Sequence, residues 1–155
     1  MQLRGHHFLC ILTYRGYGYT PAFVENMSSI VADISKGRPV RLIEGPDDIC
    51  NGLTQADRVL CNHDCGKAET REIDRLAVEE ISGLLPVATA SPLVIDAATV
   101  EVMRQAFATQ SIRLACRRCS WSEFCTKIAH EGFAETRLHT PQTSTLPGDT
   151  PLTRN

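Results

Sequence analysis

Cysteines are the residues of this sequence with the clearest capacity for chemistry. The segment LACRRCSWSEFC at 114–125 contains Cys116, Cys119 and Cys125 in the spacing C-x2-C-x5-C. The C-x2-C step puts two thiols on one turn, and the longer spacer lets the chain return a third thiol to the same centre. Thiolates are soft ligands that select iron–sulfur clusters or zinc. Three thiols are one fewer than a four-coordinate centre needs.

The missing ligand is expected from an upstream group of cysteines. Of the seven cysteines in the chain, three lie upstream as Cys50, Cys61 and Cys65, and His63 lies between the last two. This group offers more candidates than one centre needs, so we expect four of the clustered cysteines to bind the metal, with His63 as a weaker candidate. Cys10 lies in an apolar stretch without a near cysteine neighbour, which is typical of a small buried apolar residue.

Other polar pairs have two interpretations each. His6 and His7 are weaker metal-ligand candidates, or they pack the first element as a hydrogen-bonded pair. Asp47 and Asp48 follow Gly-Pro, where side-chain bonds to the backbone of a turn are a simpler interpretation than an acid–base pair.

The spacing favours an iron–sulfur cluster over zinc. Paired C-x2-C steps are typical of structural zinc sites, whereas Cys50 is followed by Asn-Gly-Leu. An upstream cysteine with a downstream C-x2-C-x5-C also frames the [4Fe–4S] cluster of helicase–nuclease-type iron–sulfur enzymes. Arg117 and Arg118 would stabilise an anionic centre or lie on a solvated face, and Trp121 would shield the centre from water or pack in the core. Zinc in a structural or interaction module is the alternative.

Composition indicates one ordinary globular domain. The chain has 155 residues, of which 43% are apolar and 22% charged, enough to bury a core. The balance of 16 basic against 18 acidic residues gives no positive field for nucleic acid. The sequence has no apolar run of membrane-spanning length, and its N-terminus is a poor signal peptide. Because clustered cysteines are typical of metal or redox chemistry in a reducing compartment, we expect a cytoplasmic protein.

The elements that must position these residues are mainly helical. Residues 3–14 fit either a buried strand or a short helix. Capping signals and apolar stripes predict the remaining elements: a helix that starts at Pro21 after Thr20 and ends at Gly37, a strand at 39–45, a helix at 68–85, a helix at 97–109 capped by Asp96, and a short helix at 121–130. The segment at 51–67 is predicted to be mostly loop.

We therefore predict an α+β, mainly helical fold. It would be a small single domain at 1–138 with about three to five helices and one or two short strands. A cysteine-rich metal centre would join the middle loop to the C-terminal segment. Residues 139–155 are rich in Pro, Thr and Ser, which predicts a disordered tail.

Four motifs together resemble one family. They are LRGHHFLCILTYRGYGYTPAFVENM near the start, EGPDDIC at 44–50, HDC at 63–65 and IRLACRRCSWSEFC at 112–125. In order and spacing they resemble the small bacterial and archaeal domain-of-unknown-function 1284 family, over about residues 2–138. The resemblance implies an iron–sulfur protein without an established activity, whose characteristic cysteines match Cys10, Cys50, Cys65, Cys116, Cys119 and Cys125. The family pattern has a second cysteine soon after the position of Cys50; this chain has Leu53 there, so Cys61 is the candidate for that role.

The expected function is a small cytoplasmic iron–sulfur protein, with a [4Fe–4S] cluster favoured, for electron transfer, redox sensing or an accessory role. The alternatives are a zinc-stabilised interaction module and a thiol-redox or nuclease-like enzyme. No Ser-His-Asp order, HExxH helix, phosphate loop or dinucleotide-binding glycine pattern appears, which argues against an enzyme. A protein or redox partner is expected, without nucleic acid or membrane. The sequence does not indicate an oligomeric state.

Overall fold

Short and medium-length helices build most of this protein. A computed structural model describes residues 1–60, 65–86 and 91–140. In chain order the elements are β1 (Gln2–Arg4), α1 (Gly5–Cys10), α2 (Pro21–Ser35), β2 (Arg41–Ile43), α3 (Asp48–Asn51), α4 (Gln55–Leu60), α5 (Ala68–Ser82), α6 (Ala97–Ala108) and α7 (Ser122–His130), with 3₁₀ turns at Ile11–Thr13 and Leu114–Cys116. The mainly helical α+β class is confirmed. The seven helices in the described residues exceed the predicted three to five.

The longer helices begin where their capping residues predicted. The Thr20 hydroxyl accepts the N–H of Phe23 over 3.2 Å at the start of α2, and proline occupies the first helical position. Asp96 accepts the N–H of Thr99 over 2.8 Å at the start of α6. Side-chain oxygens here satisfy backbone donors that have no partner inside the helix. None of the helices in the described ranges has the length and apolar character needed to cross a bilayer.

The segment at residues 3–14 contains both a strand and a helix, the two alternatives predicted for it. β1 pairs in parallel with β2, with Leu3 opposite Leu42. α1 follows β1 without an intervening loop, so residues 3–14 are a strand and then a helix. Asp47 accepts the backbone N–H of Arg4 over 2.8 Å, which ties the end of β1 to the start of α3.

The prediction of a loop over most of 51–67 is wrong in its first half. The helix α4 occupies Gln55–Leu60. The Thr54 hydroxyl accepts the N–H of Asp57 over 3.2 Å, and the Asp57 carboxylate accepts the N–H of Thr54 over 2.7 Å. This reciprocal capping box starts a helix that is too short to show an apolar stripe, which explains why periodicity missed it.

Close packing of α1 on α5 positions the N-terminal residues. A Cβ added to Gly5 would lie 2.5 Å from the carbonyl oxygen of Asp74, so only glycine allows the two helices to approach this closely. The surrounding core contains side chains that are 0% exposed, among them Leu3, Ile11, Leu12, Val31, Met103 and Ile128. As a result, the start of α1 packs directly against the middle of α5.

Candidate metal centre

Six cysteines from distant parts of the chain line one cavity of about 160 Å³. They are Cys10, Cys50, Cys65, Cys116, Cys119 and Cys125, and all six are free thiols. Packed interiors have few voids larger than a water molecule, and a cavity of about 150 Å³ can hold a ligand such as benzene. The space is therefore large enough for a small cofactor. The other predicted ligands, Cys61 and His63, lie outside the described residues.

Four of these thiols influence one another electrostatically, and we call them the four-thiol set: Cys10, Cys116, Cys119 and Cys125. Burial raises the pKa of Cys10, and the neighbouring thiols of Cys119, Cys116 and Cys125 raise it further. Burial likewise raises the pKa of Cys116 and Cys125, with Cys119 adding to both effects. Thiols in this state remain protonated at neutral pH until a metal displaces the protons.

The position of Cys10 differs from the sequence prediction of a buried apolar residue. Cys10 is exposed, although the surrounding protein desolvates its thiol. Both observations agree because the accessible part of Cys10 faces the cavity. The apolar stretch around Cys10 hid this position, since its cysteine neighbours come from the other end of the chain.

Local backbone bonds shape the C-terminal part of the four-thiol set. Cys116 ends the second 3₁₀ turn, and its carbonyl accepts the N–H of Cys119 over 3.1 Å. Cys125 lies in α7, and its N–H donates to the carbonyl of Trp121 over 2.9 Å. The C-x2-C step is thus a tight turn, and the longer spacer enters a helix that returns the third thiol to the cavity.

Polar groups around the four-thiol set favour negative charge on sulfur. The Thr13 hydroxyl donates to Sγ of Cys125 over 3.2 Å. Arg113 is buried, donates to Thr126 over 2.6 Å, and lowers the pKa of Cys116 and Cys125 against the larger effect of burial. The sequence-based expectation names Arg117 and Arg118 for this charge, whereas the cation that lowers the pKa of both thiols is Arg113.

A second thiol pair lies beside the buried guanidinium of Arg4. Arg4 Nη1 is 3.5 Å from Sγ of Cys50 and donates to the carbonyl of Cys65 over 2.9 Å. The Cys50 and Cys65 side chains contact each other, and both residues are buried. Burial and the Asp47 carboxylate raise the pKa of Cys50, while the guanidinium acts in the opposite direction.

Each of the two adjacent histidines is hydrogen-bonded to a carboxylate. Nδ1 of His6 is 2.7 Å from Asp74 Oδ1, and Nδ1 of His7 is 2.6 Å from Asp47 Oδ2. Burial and the neighbouring His7 lower the pKa of His6 to about 4, against the carboxylate, so His6 is neutral at pH 7. Both rings therefore have the hydrogen-bonded partners that one of the two interpretations predicts. Both rings nevertheless line the cavity, because α1 is a helix at this point and not a strand.

Sequence reasoning missed Asp74, the carboxylate that pairs with both His6 and Arg4. The guanidinium of Arg4 forms an ion pair with Asp74, in which Nε is 2.8 Å and Nη2 is 2.7 Å from the same carboxylate oxygen. One signal was available: the buried positions of α5 are Thr70, Asp74, Ala77 and Ile81, so a carboxylate occupies the apolar stripe. A charged residue on such a stripe indicates a buried partner.

Aromatic side chains cover the cavity on the side of α7. Trp121 Nε1 donates to the Tyr19 hydroxyl over 3.0 Å. Its ring packs edge-on against Phe124 with centroids 5.7 Å apart, and all three residues line the cavity. The indole therefore lies on the wall of the cavity, while Cys10 and Cys119 are exposed.

The motifs and their placement agree with a comparison against known families. A family model described as "Protein of unknown function (DUF1284)" matches residues 18–125. The chain belongs to this family. The match includes every cysteine except Cys10, which precedes it together with the histidine pair. Neither the curated proteins nor the solved structures contain a match to the chain.

Proposed function

We propose that this DUF1284 protein is an iron–sulfur protein that holds a [4Fe–4S] cluster on the four-thiol set. The observation that carries the proposal is the presence of Cys10 beside the three cysteines of C-x2-C-x5-C on the wall of one cavity. Four soft thiolates are the usual ligands of such a cluster. The cavity can hold a small cofactor, and the Trp121 ring lies on its wall.

Separation of the thiols supports a cluster over a single zinc ion. Among the described residues, no three of the four-thiol set lie within 4.8 Å of one another. A tetrahedral zinc ion with bonds of about 2.3 Å needs sulfurs about 3.8 Å apart. A cluster has one thiolate on each iron, so its ligands are spaced more widely than those of a single ion.

Assignment of the fourth ligand to Cys10 replaces the sequence-based expectation of Cys50 or Cys65. Cys50 is paired with Cys65 beside Arg4, whereas the thiols of the C-terminal segment act directly on Cys10. When bound, the cluster would supply one-electron redox chemistry. Thr13 and Arg113 would stabilise charge on its thiolates and so influence its potential. We therefore propose a redox role, in electron transfer or redox sensing.

Anaerobic purification of the full chain tests this function. We expect a brown protein with broad absorption at roughly 400 nm and about four irons and four sulfides per chain. Single Cys→Ser variants at positions 10, 116, 119 and 125 should lose the cluster. The Cys65→Ser variant is the matched control, because Cys65 lines the same cavity outside the four-thiol set, and it should retain iron.

Two outcomes contradict the proposal in different ways. A colourless wild-type protein with stoichiometric zinc would exclude the cluster and favour a zinc-stabilised module. A coloured protein in which Cys65→Ser loses iron and Cys10→Ser retains it would support a cluster with the wrong fourth ligand assigned.

A further inference from the structure

Cys50 and Cys65 are a pair of thiols on the cavity wall, outside the four-thiol set. Their side chains contact each other, and both cysteines are free. Cys50 is 2% exposed and Cys65 is 3% exposed, so the pair is buried in the protein beside the cavity. The cavity extends to the surface, because the exposed residues Cys10 and Cys119 also line it. A small molecule that enters the cavity can therefore reach the pair.

One buried guanidinium holds the two cysteines in place. Arg4 Nη1 donates to Sγ of Cys50 over 3.5 Å and to the carbonyl of Cys65 over 2.9 Å. Arg4 is itself fixed by its ion pair with Asp74, whose carboxylate oxygen is 2.7 Å from Nη2. The Asp47 carboxylate accepts the N–H of Cys50 over 2.9 Å and so fixes the start of α3. These contacts keep the two thiols next to each other, as the formation of a bond between them requires.

We propose that Cys50 and Cys65 are a thiol–disulfide exchange site, which small organic disulfides oxidise to an intramolecular disulfide. In the first step, the sulfur of one cysteine attacks the organic disulfide, forms a mixed disulfide and releases one small thiol. In the second step, the other cysteine attacks the protein sulfur of the mixed disulfide, and the second small thiol leaves. The two protons of the cysteines pass to the two released thiols. The cysteine pair loses two electrons, and the organic disulfide gains them.

Disulfide mapping of the full chain tests this site. The anaerobically purified protein is incubated with bis(2-hydroxyethyl) disulfide, its remaining thiols are blocked, and it is digested with trypsin. Cleavage after arginine and lysine places Cys50 in the peptide 42–58 and Cys65 in the peptide 59–67. We expect a disulfide to join these two peptides and dithiothreitol to separate them.

Three variants identify the two sulfurs of the bond. The peptide 59–67 also contains Cys61, so Cys61→Ser is the matched control and should keep the cross-link. Cys50→Ser and Cys65→Ser should each lose the cross-link while they keep the helical circular dichroism of the wild type. In Cys61→Ser, oxidation should also raise Tm by about 6–12 °C, because a bond across 15 positions of the sequence restricts the unfolded chain.

Several results would overturn the exchange site. They are the absence of a cross-link in the wild type, its loss from Cys61→Ser, and a mixed disulfide on the wild type that is not resolved by a second cysteine. A Tm that does not rise on oxidation also overturns the site, because the native positions of the two cysteines would then not fit the bond.

Iron content separates this site from the proposed cluster. Loss of iron from a folded Cys50→Ser variant overturns the exchange site, because Cys50 would then be a cluster ligand. A cross-link in a protein that has no cluster supports the exchange site and contradicts only the proposed function. A protein that holds the cluster but forms no cross-link contradicts only the exchange site.

Discussion

The buried ion pair between Arg4 and Asp74 leads to a quantitative prediction about stability. The Arg4 side chain is 0% exposed and the Asp74 side chain 9% exposed, and their charged atoms are 2.7 Å apart. Asp74 also lies 2.7 Å from Nδ1 of His6. Asp74→Asn keeps the shape of the side chain and removes its charge. The guanidinium then stays buried without a counter-charge, at the point where α5 holds the N-terminal segment.

Removal of one partner from a buried ion pair costs about 3–5 kcal/mol. In a domain of this size, 1 kcal/mol changes Tm by about 2–4 °C, so Asp74→Asn should lower Tm by about 6–20 °C. Glu72→Gln is the matched control on the same helix. Its ion pair with Arg75 has side chains that are 55% and 59% exposed, so water screens it and Tm should stay near that of the wild type.

Thermal unfolding followed by circular dichroism measures both variants, in preparations with matched metal content. Burial alone would raise the pKa of Asp74, but hydrogen bonds from His6 and Arg4 lower it below the ordinary value of 3.8. The stabilisation is therefore complete above pH 3.8 and is lost as the pH falls through the lower folded-state pKa. The difference between wild type and Asp74→Asn should shrink over that range.

Two results would refute this reasoning about Asp74. One is a Tm for Asp74→Asn within about 2 °C of the Glu72→Gln value, which would mean that the pair contributes no more than a surface pair. The other is a constant difference from the wild type as the pH falls from about 7 to about 2, because the charge on Asp74 would then make no contribution.

Two further predictions concern single contacts. Gly5→Ala should destabilise the protein by about 1–3 kcal/mol in urea unfolding, because its Cβ would meet the Asp74 carbonyl at 2.5 Å. Gly83→Ala, whose Cβ would lie at an ordinary 3.4 Å, is the control, and equal stability of the two would contradict the packing argument. Thr13→Val removes the hydrogen bond to Cys125 and should shift the potential of the proposed cluster negative by about 40 mV, from about 1 kcal/mol for one electron. An unchanged or more positive potential in an anaerobic redox titration would exclude this tuning role.

The parts of the fold that could be predicted are those that depend on interactions between residues close in sequence. Thr20 and Asp96 mark helix starts because a cap is a bond between residues three positions apart, and such a bond can be read from local sequence. The start of α4 had an equally local signal in Thr54 and Asp57, but the helix is too short for its apolar periodicity to confirm it. Helix prediction therefore failed where the helix is short.

The type of side chain at the candidate site was predictable from the sequence. Which of the cysteines lie together was only partly predictable. The C-x2-C-x5-C spacing indicates a soft metal centre because its three thiols are close in sequence. Sequence reasoning ranked Cys50 above Cys10 as a ligand, although the position of each thiol depends on the helix that carries it to the cavity. Sequence reasoning missed Arg4, Asp74 and Arg113 for the same reason. Each of them matters through the residues that it contacts in the folded protein.

The sequence alone determined which side chains are the candidate ligands: soft thiols in a defined local spacing, beside an aromatic residue. The grouping of those thiols was decided only by tertiary structure. Thr13 meets Cys125 although the two are 112 positions apart, because α1 packs on α5 at Gly5 and thereby carries the N-terminal segment to the cavity. Side-chain chemistry and short spacings are properties of the local sequence, whereas the grouping of six cysteines around one cavity depends on long-range packing.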